Sequence, residues 1–326
     1  MEQRDFGLVF GGGGGKGSYQ IGVWKALRFL KMDSWIKAIS SDSIGTLNAV
    51  MFLNGDYQKA EDAWYNIRPV QFLDITPEGV CSRDGLIKIL NELVDLQKIS
   101  DSPIKTYTTL ARKSDYTESY QVVSRLFRQR DDDVEVEGEY VLLNGKTPEE
   151  LMQLLLAATS MPFVYDPVTI NGVTYRDGGI YDNLPLRPLI EDDIKHLILV
   201  CLSPNYEYDI MCASRADTII MITPSQEIGA LLTGTLDFDG RNAAYRLNLG
   251  FYDTLRAFEY YERRMLGFPV SSAEKEARAR EDHEKALAAA NAQNAMASAS
   301  LHTIVSFSFP YRKRTTGVQA TRHAMS

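Results

Sequence analysis

Three short segments carry residue types that can do chemistry together. The first is Ser41-Asp42-Ser43-Ile44-Gly45, a serine among small residues between an extended run and an apolar one. A nucleophile elbow presents a serine in this setting, its hydroxyl exposed on a sharp strand-to-helix turn. The same residues also suit plain helix capping, in which serine and aspartate side chains accept from first-turn amides. The second segment is Gly11-Gly12-Gly13-Gly14-Gly15-Lys16-Gly17. Amides there are unscreened by side chains and can converge on an anion, either a phosphate or the oxyanion of an acyl-transfer intermediate. A run of glycines weakens a fold through backbone entropy, which argues against an ordinary turn. The third is Asp177-Gly178-Gly179, a carboxylate on a glycine turn at a strand end, followed by Tyr181-Asp182-Asn183-Leu184-Pro185.

A nucleophilic serine needs a base, and a triad would use histidine. Of the four histidines, His283, His302 and His323 lie in the C-terminal tail, and His196 opens the buried run HLILVCL as a structural residue. An aspartate is the better candidate base, its pKa raised by partial desolvation. The phosphate reading of the glycine run divides in two. A P-loop fails, because Phe10 stands at its first glycine position and Gly17 at its last. The dinucleotide pattern matches at Gly12, Gly14 and Gly17. It wants an acid about 20 residues on at the end of the second strand. Asp33 precedes that strand and Asp42 follows it late.

The elements that must position these segments can be read from periodicity. Phe6–Phe10 is a short apolar strand, Ser18–Met32 a helix, Trp35–Ile39 a second strand, and Ile44–Leu53 an apolar helix ended by Asn54-Gly55. A further helix is expected over Tyr57–Ile67. This βαβα order predicts a mostly parallel sheet with helices on its faces. Gly85–Leu96 and Pro148–Ala158 read as helices, Thr106–Leu110 and Ser119–Val123 as strands, and the charged stretch Arg125–Gly138 as a loop or hairpin. Val168–Tyr175 has the alternation and the Asn171-Gly172 turn of a hairpin. His196–Leu202 and Thr218–Ile222 read as strands and Tyr245–Leu266 as an aromatic-rich helix. Composition shifts near Ser271, so residues 1–270 are expected to form the domain and residues 271–326 a helical, low-complexity tail.

The 326 residues, 44% hydrophobic and 24% charged, can bury a real core. The net charge of −8 makes nucleic acid a poor partner, because phosphate contacts supply most of that affinity. Any membrane contact must therefore be local and peripheral. The tail offers one place for it, Thr303–Tyr311 followed by Arg312-Lys313-Arg314, although on general grounds the stronger reading of that alternation is a strand added to the domain, with the basic residues merely solvated. Three scattered cysteines argue against a disulfide framework or zinc site. No metal or other cofactor is expected. Without a spanning apolar run or a signal peptide, a cytoplasmic protein is the expectation.

Taken in order, GGGGGKGSYQIGVW, SDSIGTLNA, AATSMPFVYDPV and YRDGGIYDNLP resemble the patatin-like phospholipases. The resemblance runs over roughly residues 5–265. It implies a three-layer α/β/α fold and a Ser–Asp dyad that cleaves carboxylic esters of lipids without histidine. On the matching motifs, Ser43 is the nucleophile and Asp177 the base. Gly12, Gly13 and Gly14 supply the oxyanion hole within the loop Gly12–Gly17, which includes Gly15, and Lys16 stands at the family's basic position. Ser160-Met161-Pro162 matches the stretch that precedes the aspartate motif. The chain departs from the family at Ser41, where glycine is usual and a Cβ crowds the turn. It departs also at Asp42, whose charge would oppose an oxyanion unless it points to solvent. Two other functions stay open: a catalytically weak member that binds lipid, and a nucleotide-binding α/β protein.

Overall fold

Phe6–Phe10 (β1) is buried along its whole length, and its side chains alternate between two cores as a strand's must. Phe6, Leu8 and Phe10 enter the larger core, whereas Val9 enters a second one on the opposite face of the sheet. The same split runs through His196–Val200 (β7), with Ile198 and Val200 on one side and Leu197 and Leu199 on the other. A strand buried on both faces needs a covering layer on each, and the chain provides both. The helices Ser18–Phe29, Ile44–Asn54, Tyr57–Tyr65, Pro148–Ala158 and Gly240–Met265 pack on the larger core. The short helices Arg187–Glu191 and Ile210–Ala213 close the other face. The result is the three-layer α/β/α fold with a mostly parallel sheet. The computed structural model describes residues 5–77, 79–118, 136–203 and 208–265.

The remaining strands are Ile36–Ser41 (β2), Lys105–Arg112 (β3), Gly138–Leu142 (β4), Val168–Ile170 (β5), Val173–Asp177 (β6) and Thr218–Ile222 (β8). β3, β2, β1, β7 and β8 are mutually parallel in that order, and β4, β5 and β6 are antiparallel additions. β3 has an unusual set of partners. Its residues Lys105–Thr108 pair with β2, Leu110–Arg112 pair with β6, and β4 spans Tyr107–Ala111. A strand has two edges, so β2 and β6 must share the edge opposite β4. They run in opposite senses there, and their C-terminal ends meet across Thr109.

Several boundaries differ from expectation for local reasons. The second strand begins at Ile36, after a 3₁₀ turn over Asp33–Trp35. The helix expected over Gly85–Leu96 is two, Asp84–Leu93 and Leu96–Ser100, because Asp95 leaves the helix and caps the second by accepting from the Lys98 amide at 3.2 Å. β4 begins at the end of the charged stretch read as a loop or hairpin. The hairpin at Asn171-Gly172 forms with both residues at positive φ, 51° and 82°, the geometry of a two-residue turn. The strand expected at Ser119–Val123, most of Arg125–Gly138 and the whole tail lie outside the described residues.

Candidate active site

β2 ends at Ser41, and the chain turns at Ser43 straight into the helix Ile44–Asn54. Ser43 sits at φ 51°, ψ −126°, a conformation that side chains disfavour. Gly45 makes the turn possible: any side chain there would strike the Phe10 and Gly11 carbonyls at the end of β1. Ser43 Oγ donates to Asp177 Oδ2 at 2.5 Å. Asp177 is the last residue of β6, so this hydrogen bond joins the two strand ends that abut on β3. The other carboxyl oxygen, Oδ1, accepts from the Gly179 amide at 3.0 Å. Asp177 is buried, and burial pushes its carboxyl up to about 6, with the Ser43 hydroxyl and the Gly179 amide pulling the other way.

Behind Asp177 stand two arginines, Arg83 half-buried and Arg176 buried. The Asp177 amide donates to the Ser160 carbonyl at 3.2 Å, and Arg83 donates to Ser160 Oγ at 2.8 Å and to the carbonyls of Leu156 and Asp166. Arg176, buried beside Asp177, forms a forked pair with Glu118 and bonds the Tyr165 carbonyl. Planar guanidinium groups hold several acceptors in fixed directions, which suits them to brace a turn.

The glycine loop is a 3₁₀ turn, Gly14–Gly17, leading into the helix Ser18–Phe29. Its carbonyls are tied back to buried side chains. Gln20 donates to Gly11 O at 2.6 Å, Asn48 to Gly17 O at 2.9 Å and Arg246 to Gly15 O at 3.2 Å. Gly14, at φ 56°, lies flush against the Thr235 carbonyl, where a Cβ has no room. The amides of Gly12 and Lys16 are engaged, with Asn183 O and Gly13 O respectively. Those of Gly13 and Gly14 have no acceptor among the described residues. The Lys16 side chain is buried under Gly234, and burial together with the Arg246 charge lowers its pKa to about 8.

The two departures at the elbow behave differently from expectation. Ser41 does not crowd the turn, because its hydroxyl donates to the Tyr107 carbonyl of β3 at 2.8 Å and meets Thr46 Oγ1 at 3.2 Å. Asp42 does not point to solvent. It is fully buried, wedged between Gly12, Gly178 and Gly179, and neither carboxyl oxygen has a hydrogen-bond partner among the described residues. Burial, and then the carboxylates of Asp177 and Asp182, push its pKa far above the usual range. The nearby Ser43 amide favours the anion, but its approach falls short of hydrogen-bond geometry. His196 begins β7 away from these residues, its ring against Phe6.

Sequence reasoning missed the residues that hold the loop and the turn: Gln20, Asn48, Arg83, Arg176 and Arg246. The signal was faint, a polar side chain on an otherwise apolar face, as at Gln20 and Asn48.

A family model described as Patatin-like phospholipase matches residues 8–190, more than half of the chain. No curated protein matches it. Among solved structures, VipD from Legionella pneumophila is similar at 12% identity and a TM-score of 0.42, over 79% of this chain and 67% of that one. Among the described residues, no helix is long and apolar enough to cross a membrane.

Proposed function

Because the chain belongs to the patatin-like phospholipase family, we propose that it is a lipid acyl hydrolase in which Ser43 is the nucleophile and Asp177 its base. The observation that carries this reading is the 2.5 Å hydrogen bond from Ser43 Oγ to Asp177 Oδ2. Asp177 takes the hydroxyl proton as Oγ attacks the ester carbonyl carbon. The tetrahedral oxyanion is held by the Gly13 and Gly14 amides, two of the glycine-loop donors without an acceptor among the described residues. Such preorganised donors are worth roughly 3–4 kcal/mol of transition-state stabilisation apiece. The proton passes to the leaving alcohol, and an acyl group remains on Ser43. Water then attacks the acyl-enzyme with Asp177 again as base, releasing the fatty acid.

The position of Asp177 suits this work. A carboxylate near 4 is a weak base, whereas one raised to about 6 by burial takes a proton more readily and is still ionised at neutral pH. The cycle as written requires neither a metal nor another cofactor. The substrate is a lipid or phospholipid met at a surface, with peripheral contact, and a cytoplasmic setting agrees with the reduced state expected of the cysteines.

The test is hydrolysis of a short-chain p-nitrophenyl ester and of a phospholipid by the purified chain, with Ser43→Ala and Asp177→Asn beside it. Each variant is expected to lose at least about 10³-fold in kcat, and the double variant little more, since residues acting as a unit are not additive. Near wild-type turnover in either single variant would overturn the assignment.

A further inference from the structure

Asp42 is a carboxyl group beside the nucleophile that the mechanism above does not use. Its surroundings are severe. It is 0% exposed, and both of its oxygens lack a donor. An ionised carboxylate stripped of water and left unpaired costs several kcal/mol. The groups that bear on its charge make matters worse. Asp177 faces it from the end of β6 and Asp182 from the following loop, both of them acids. Asp182 is itself held by the Tyr140 hydroxyl at 2.7 Å. Just past the end of β1, Gly12 faces it without a side chain.

One neighbour accepts. A methyl group placed on Gly12 would overlap both Asp42 Oδ2 and Asn183 Oδ1, and one on Gly179 would lie 3.0 Å from the first and 2.9 Å from the second. Two acceptor oxygens therefore border the same small space beside the Gly12 and Gly179 backbone. Such a pair is stable when one of them carries a proton, and an amide oxygen cannot.

We propose that Asp42 keeps its proton throughout the working range of the enzyme and acts as a positioning residue, its O–H donating to Asn183 Oδ1 and bracing the end of β1 against the Asp177 turn. The proposal rests on the dyad reading for its catalytic meaning. Two acids share one buried site, and their surroundings drive them apart. Asp177 has two donors, the Ser43 hydroxyl and the Gly179 amide, and is the one that ionises. Asp42 has none and stays neutral. A second negative charge here would tighten the proton on Asp177 and oppose the oxyanion.

Two measurements on the full chain decide it. Infrared spectroscopy at about pH 8, where other carboxyls have ionised, should show one protonated-carboxyl stretch that vanishes in Asp42→Asn. Absence of that band in the wild type overturns the proposal, and so does its survival in the variant. Should Asp42→Asn fail to fold, aspartate labelled isotopically at the side-chain carboxyl must shift the wild-type band, or the proposal falls. The second measurement is kcat/KM for a soluble ester against pH. In Asp42→Asn the acid limb should stay within about 0.3 units of wild type, because no charge has been removed beside Asp177. A fall of the limb by a unit or more means that Asp42 is ionised in the wild type, its partner then being an Asn183 amide turned to donate. Activity surviving in Ser43→Ala would sink the dyad and leave the infrared result standing.

Discussion

At the scale of single residues, the site is built from groups held where they are least comfortable. Asp177 is the clearest case, and it ties activity to stability with opposite signs. Its folded pKa, about 6, exceeds the ordinary 3.8. The native state therefore binds this proton more tightly than the unfolded chain. The group's contribution is most favourable below the unfolded value and is lost as pH rises through the window between the two, by about 3 kcal/mol in all. On the proposed mechanism activity runs the other way: kcat/KM should fall as pH drops below about 6 and Asp177 is protonated. Asp177→Asn, expected to be inactive if Asp177 is the proposed base, should melt higher than wild type at about pH 8, with the gap closing toward about pH 4. Thermal melts across that range check it, and a gap independent of pH would show that ionisation of Asp177 carries no such cost.

At the scale of elements, the glycine loop is positioned by segments distant in sequence. Arg246, on the helix Gly240–Met265, reaches the Gly15, Ile228, Thr233 and Asp237 carbonyls and the Asp237 carboxylate. Arg246→Met keeps the stem but strips these carbonyls of their guanidinium donor and leaves the Asp237 carboxylate with only Asn242 Nδ2 and the Asp239 amide, a loss of about 3–5 kcal/mol for a buried ion pair broken on one side. We expect a clear drop in Tm together with a fall in kcat, because the turn Leu231–Thr235 that seats Gly14 loses its anchor. Preserved kcat beside a lowered Tm would confine Arg246 to stability. This dependence marks the limit of what the sequence discloses. The elbow, the glycine loop and the Asp177 turn were legible because their chemistry is local, written in small residues at fixed spacing. Arg246 was not, since its acceptor Gly15 lies 231 residues away. Nor was the meeting of β2 and β6 on one edge of β3, which depends on pairing across the sheet. β4 escaped because it is a half-buried edge strand continuing a charged stretch.

At the scale of the molecule, the family match stops at residue 190, but the sheet does not. β7 pairs with β1 directly, and β8 pairs with β7. The helix Gly240–Met265 lies along Ser18–Phe29 so closely that Gly22 abuts the Leu247 backbone and Gly250 that of Tyr19, with no room for a Cβ at either. A chain ending at residue 190 would leave β1 as an unpaired apolar edge and uncover that helix face. We expect it to be insoluble or molten, whereas residues 1–270 should melt cooperatively and hydrolyse a soluble ester. Circular dichroism and size-exclusion chromatography separate these outcomes. A folded, monomeric 1–190 fragment would mean that the segment after residue 190 is an addition and not part of the core.

The backbone at Ser43 has a consequence for how such a protein changes over generations. A non-glycine residue at φ 51°, ψ −126° stores on the order of 1–3 kcal/mol of strain. Ser43→Gly relieves it, and we expect that variant to be dead and to melt higher than its parent. Heritable drift toward robustness and drift toward inactivity then point the same way at this position. A laboratory selection for heat resistance alone would discard the proposed nucleophile early, and hardier descendants without Ser43 should accumulate wherever selection for its activity lapses.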